Sequence, residues 1–258
     1  MFGTPSRGST TFSKVSADDP ALDDKATDFA DQLTELVRGV LGPDAPAFSV
    51  HNSGTRVRVA PLATDHRSMR IPVHINGERC LSLHVQHFLC WDRANRYLAV
   101  DKTHVHLYFE GESDPLLRYE YERSWREPPG AHLHIHAHRD EMAYLLRLAE
   151  RKGRPRDKLK RRRLPRLSEM HLTVGGHRLR PALEDVLLLL EREFAIDVQP
   201  GWDKVIEAHL RDWRILQLKA AVRDAHESAA ETLRELGYTV TSPADIEPQA
   251  AGSRLYWP

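Results

Sequence analysis

The chain has 258 residues, 37 Lys or Arg against 37 Asp or Glu, and 41% hydrophobic content. That is enough apolar material for a core, and the balance of charge excludes attraction to nucleic acid or membrane through net charge alone. Cys80 and Cys90, the only cysteines, form no Cys-x-x-Cys pair, which leaves no disulfide framework and no thiolate zinc knuckle. No apolar run approaches the ~20 residues of a bilayer-spanning helix and no signal-peptide pattern opens the chain, so a cytoplasmic protein with no membrane contact is expected.

Residues 1 to 20 are rich in Ser, Thr, Gly and Pro and predict a loose tail. From Ala21, the spacing of Leu22, Phe29, Leu33, Leu36, Val37 and Val40 predicts a helix with one apolar face, stopped at Gly42 and Pro43. Short alternating runs then predict an antiparallel meander: Phe48 to His51, Thr55 to Ala60, Ile71 to Ile75, Arg79 to Gln86, Tyr97 to Val100, His104 to Phe109, Leu117 to Glu122 and His132 to His138. Asn76-Gly77 marks a hairpin, and a three-residue loop through Glu78 is expected because it keeps Ile71, Val73, Ile75, Leu81 and Leu83 on one face.

Met142, Leu145, Leu146 and Leu148 suit a short helix that completes a first domain at residues 21 to 150. Residues 151 to 166 carry ten Lys or Arg and read as a basic linker, followed by a second lobe at 167 to 243 and a loose tail from 244 to 258. That lobe contains a hairpin at Gly175-Gly176, an apolar helix from Pro181 to Phe194 with Glu184 and Asp185 on its solvent side, and a helical stretch from Trp202 to Leu236. Val205, Ile206, Trp213, Leu216, Val222 and Leu233 are its expected buried side. The fold class is α+β: an N-terminal helix, a largely antiparallel β-meander and a helical C-terminal lobe.

The chemistry concentrates in the last strand. His132, His134, His136 and His138 alternate with Leu133, Ile135 and Ala137, so strand periodicity places four imidazoles on one face. The same parity adds His104, His106, Arg118, Glu120 and Glu122, with His74 and His84 further along. Strands ~4.8 Å apart would join these into one ionisable surface with carboxylates between two histidine rows. Such a face can hold a divalent transition metal such as zinc, with His132, His134, His136, His104 and His106 as candidate ligands. It can also act on phosphoesters: His134 and His136 for proton transfer or attack, Arg118 for phosphate charge, and Glu120 to orient an imidazole or share a metal. Lys160, Arg161, Arg162 and Arg163 in the basic run are candidate phosphate contacts, without interleaved aromatic side chains for base stacking. Partner or self-association is the alternative use of the leucine-rich stretch 186 to 194.

His-Leu-His-Ile-His-Ala, residues 132 to 137, resembles the histidine triad motif of nucleotide hydrolases and transferases. The resemblance covers about seven residues and implies His134 as nucleophile with His132 and His136 in support. It departs from that motif at Ala137-His138, and Glu127, Pro128, Pro129 and Gly130 stand where a small polar residue belongs. Leu117-Arg118-Tyr119-Glu120-Tyr121, a proline-bearing loop and a histidine-rich strand resemble the end of small meander toxins of bacterial toxin–antitoxin systems. That likeness implies RNA as substrate and a toxin or defence setting. The Pro-Pro-Gly-Ala strand, Gly-Gly hairpin, Leu-Glu-Asp helix and late Gly-Trp helix are also similar to a group of uncharacterised bacterial proteins. The expected function is therefore an intracellular phosphoester-cleaving or nucleotide- or RNA-processing enzyme. The alternative is a non-catalytic nucleic-acid- or protein-binding module whose histidine face is solvated or metal-binding.

Overall fold

The computed structural model describes residues 20–53, 56–92, 97–124, 131–135, 140–152 and 180–241. The expected tails, most of the basic segment with Lys160 to Arg163, the Gly175-Gly176 hairpin, His136 and His138 lie outside the described residues. Helix α1 spans Pro20–Leu41, and seven strands follow: β1 Phe48–Ser53, β2 Arg56–Pro61, β3 Ile71–Ile75, β4 Glu78–Trp91, β5 Leu98–Phe109, β6 Pro115–Glu122 and β7 Ala131–Ile135. Helices α2 Asp140–Lys152, α3 Leu183–Phe194, α4 Trp202–Asp224 and α5 His226–Glu235 complete the order, which makes the fold α+β.

All strand pairs are antiparallel, in the order β1-β2-β4-β5-β6-β7, with β3 paired to the first part of β4. β4 is long enough to pair β3 through Leu83 and β2 from His87, both along one edge. Helix α1 packs its apolar stripe on the sheet: Leu22, Ala26, Ala30, Leu33, Val37 and Val40 recur every three or four residues and are buried. Full burial of each large aliphatic side chain contributes roughly 1.5–3 kcal/mol. Gly39 lies within α1 because α4 crosses there, and a Cβ on it would stand 2.9 Å from the Val205 side chain.

Three β-bulges set which residues face the core, and two of them revise the sequence expectations. The β3–β4 loop has two residues, Asn76 and Gly77, both at positive φ. The extra residue sits one step inside the ladder instead, where Val73 opposes Leu81 and His74 opposes Arg79, leaving Cys80 between them. Ile71, Val73, Ile75, Leu81 and Leu83 are all buried by this route. Asp197 completes the turn by accepting from the Asn76 and Gly77 amides at 3.1 and 2.7 Å. A second bulge makes one strand of the expected runs Tyr97 to Val100 and His104 to Phe109. Phe88 opposes Lys102 and Leu89 opposes Val100, so Asp101 is skipped and the alternation changes phase there. The third, at Leu116 in β6, lets Leu116 and Leu117 both be buried.

The C-terminal helices also differ from expectation. In α3 most of the leucine stretch is core: Leu187, Leu189, Leu190 and Phe194 are fully enclosed, and Leu188 is partly buried against them. Glu184 and Asp185 are buried as well. Asp185 accepts from the Ala182 amide at 3.0 Å, satisfying a helix-end donor, and lies 3.7 Å from Arg214. The stretch from Trp202 breaks at Ala225 into α4 and α5. Only Ile206 and Leu210 of α4 are buried, while Leu216, Val222 and Leu233 are exposed because α4 leaves the core after its first half. Trp213 is half-buried, with the Arg180 guanidinium 4.7 Å from its ring.

Candidate metal centre on the histidine face

Strand pairing builds two rows across the sheet face that points away from α1. One runs His84, His106, Arg118, His134, each opposite the next on β4, β5, β6 and β7. The other runs Gln86, His104, Glu120, His132. The alternation that buries Val105, Leu107, Leu117 and Tyr119 on the inner face puts these groups on the outer one. Two antiparallel hairpins without a register shift between His104 and Glu120 or between Glu120 and His132 keep the rows aligned.

Glu120 is the centre of the arrangement. One carboxylate oxygen is 2.8 Å from His106 Nε2 and the other 3.2 Å from His132 Nε2, with Arg118 Nη1 at 3.9 Å. Glu120, His132 and His134 each offer a ligand atom, and the three atoms lie within 4.8 Å of one another. The His132 and His134 rings meet edge-on with centroids 4.9 Å apart. His104 and His106 stack at 5.7 Å, and His84 and Phe88 pack against His106 and His104. The side chains cover one another: exposure is 14% for Glu120, 10% for His132 and 16% for His106.

This partial burial sets the charges. Burial lowers the His106 pKa below its ordinary value although the Glu120 hydrogen bond opposes the change. Burial and the neighbouring His106 bring His84 down to about 4. Burial pushes Glu120 up, but the His106 hydrogen bond and charge, with Arg118 and His132, outweigh it and leave the carboxyl below its ordinary value. At neutral pH the face therefore presents the Glu120 carboxylate beside neutral His84 and His106 imidazoles.

Of the residues expected at the site, Arg118, Glu120, His104, His106, His132 and His134 come together on this face. Glu122 belongs to a neighbouring cluster, buried, 2.7 Å from Lys102 and 3.6 Å from His104. His136 lies outside the described residues, as do Lys160, Arg161, Arg162 and Arg163. The sequence pattern did not single out His87, which occupies the inner face. Its Nδ1 is 3.1 Å from Thr103 Oγ1 and its ring meets Phe29 edge-on at 5.2 Å, while Nε2 is buried without a hydrogen-bond partner. Burial holds its pKa down at about 3. The odd parity it shares with Val85 and Leu89 was the available signal. Comparison with protein families, with curated proteins and with solved structures finds no match to this chain, so geometry alone carries the functional reading.

Proposed function

We propose that the outer face of β5, β6 and β7 is a phosphoester-cleaving centre built on a divalent transition metal, with RNA or a nucleotide as substrate. The observation that carries this reading is the convergence of Glu120, His132 and His134 donor atoms within 4.8 Å. Two imidazoles and one carboxylate are a donor set that zinc and similar metals accept, with positions left for water and substrate. A bound metal would supply Lewis acidity and a water acidified toward neutral pH. Arg118 stands beside the carboxylate in the adjacent row, where a guanidinium can meet a phosphoryl oxygen. His106 holds the Glu120 carboxylate from the side away from His132 and, being neutral, can take a proton from an attacking hydroxyl or water. Lys160, Arg161, Arg162 and Arg163 are proposed to contact the phosphate backbone of a longer substrate.

The test is cleavage of a fluorescent RNA oligonucleotide by untagged protein, with and without a chelator, alongside calorimetric titration of zinc. Chelator-sensitive cleavage that disappears in Glu120→Ala and His134→Ala is the expected result. Neutralising Arg161, Arg162 and Arg163 should flatten the salt dependence of RNA binding without moving zinc affinity. Zinc binding with no cleavage would favour the non-catalytic binding module, and neither binding nor cleavage would overturn both readings.

A further inference from the structure

One row across the inner face of the sheet is polar, and it leads to a cation that the proposed mechanism leaves unused. His87 of β4 stands opposite Thr103 of β5, and Thr103 opposite Tyr121 of β6. Arg180, in the segment that enters α3, stacks on the end of this row. Its guanidinium is 4.5 Å from the centre of the Tyr121 ring and 4.7 Å from that of Trp213 on α4, and its Nη1 donates to Gln217 Oε1 at 3.1 Å. Among the described residues no carboxylate pairs with it. The buried acid Asp185 is turned to the Ala182 amide and to Arg214 instead. Burial and the nearby Arg123 lower the Arg180 pKa from its ordinary value, yet a guanidinium keeps its charge at neutral pH. Stacking on two rings offsets only part of the cost of withdrawing that charge from water.

The other unmet groups here are donors as well. The Thr103 hydroxyl has no other acceptor among the described residues, so it donates to His87 Nδ1 at 3.1 Å and the ring proton sits on Nε2. That Nε2–H is buried without a partner, and so is the Trp213 Nε1–H. His87 itself is 6% exposed. A guanidinium and two unpartnered N–H groups leave an acceptor with negative charge as the chemistry that completes them. Space for one adjoins the row: a small cavity lies between Thr103 and Tyr121 of the sheet and Pro181 and Ala182, the residues that follow Arg180. Its size limits an occupant to a few atoms. With His87 neutral, Arg180 is the charge against it, which suits a single negative charge.

We propose that this inner-face pocket binds a small monovalent anion, of the size of chloride or formate, held by Arg180 with the His87 and Trp213 N–H groups as further donors. The inference is independent of the metal centre, which lies on the outer face of the sheet. Because the donors come from β4, the α3 entry and α4, an occupied site ties the C-terminal helices to the sheet and stabilises the fold by mass action. The test is thermal unfolding of the full chain, kept free of metal by a chelator, as chloride replaces gluconate at constant ionic strength. The midpoint should rise and level off with chloride or formate, whereas sulfate, larger and divalent, should give no saturable rise. A response to only one of the two supports the site and identifies a halide or a carboxylate as its ligand.

Two variants locate the response. Arg180→Gln should abolish it, and Trp213→Phe, which keeps an aromatic ring but removes the N–H, should raise the half-saturating concentration severalfold. Chloride NMR line broadening on the folded parent reads the same binding without unfolding, so the proposal stays open to refutation even where Arg180→Gln fails to fold. A parent that responds to neither chloride nor formate overturns the proposal, as does an Arg180→Gln protein that responds as the parent does or a Trp213→Phe protein with unchanged affinity. Sulfate acting as strongly as chloride would overturn the assignment to a small monovalent anion.

Discussion

The two faces of the sheet are made by the same strands and obey different rules. On the inner face, Val105, Leu107, Leu117 and Tyr119 are nearly inaccessible, and burial accounts for their identity. On the outer face, alternate residues of the same strands are His104, His106, Arg118 and Glu120, and packing alone does not call for ionisable groups there. Partial burial of charge is costly unless each group is paired, and the outer face meets that requirement by centring two imidazoles and a guanidinium on one carboxylate. The inner face stores stability, and on the proposed reading the outer face carries the chemistry.

Substitutions should separate these two kinds of content. The largest effect on stability belongs to the inner face: Leu107→Ala should cost about 2–5 kcal/mol in urea unfolding, with zinc affinity of the folded protein unchanged. On the outer face, Glu120→Gln should reverse that pattern, lowering zinc affinity by about a hundredfold with a much smaller change in the unfolding midpoint. Calorimetric titration and unfolding of both variants check the pair.

A pH series sharpens the contrast. His87 has an ordinary pKa near 6.5 and a folded value of about 3, so below 6.5 the unfolded chain binds a proton that the folded chain refuses. Stability contributed by this group is present above pH 6.5 and is lost as pH falls toward 3, at up to about 1.4 kcal/mol per pH unit. His84, with a folded value of about 4, acts in the same direction over a narrower window and more weakly because it is less buried. His87→Leu should flatten the acid limb of a stability–pH curve, and equal slopes in variant and parent would refute the assignment. Smaller still, Asp197→Ala should cost about 1 kcal/mol by freeing the Asn76 and Gly77 amides, an effect visible in the same unfolding experiment.

The shared outer face was legible because strand parity needs only local sequence, and no bulge falls between His104 and His106 or along Arg118 and Glu120. Parity failed where a bulge changed its phase. Asp101 made one strand look like two, and Cys80 moved the extra residue out of the β3–β4 loop. Neither shift leaves a composition signal, because bulges follow from the fit between strands. Asp185 and Glu184 were misplaced for a related reason: their burial depends on a helix end and on Arg214, far away in sequence. In α4 the helical period was evident, but a period cannot say which of two apolar faces meets the core. Ile206 and Leu210 do, whereas Leu216 and Val222 do not.

The most direct test of the metal centre is elemental analysis of untagged protein after equilibration with zinc and removal of unbound ion, at pH 7.5 (about one unit above the ordinary histidine pKa). The account predicts near-stoichiometric zinc in the parent and loss of that zinc in Glu120→Ala and in the His132→Ala, His134→Ala double variant. A parent that retains no zinc, or variants that retain as much as the parent, would contradict it.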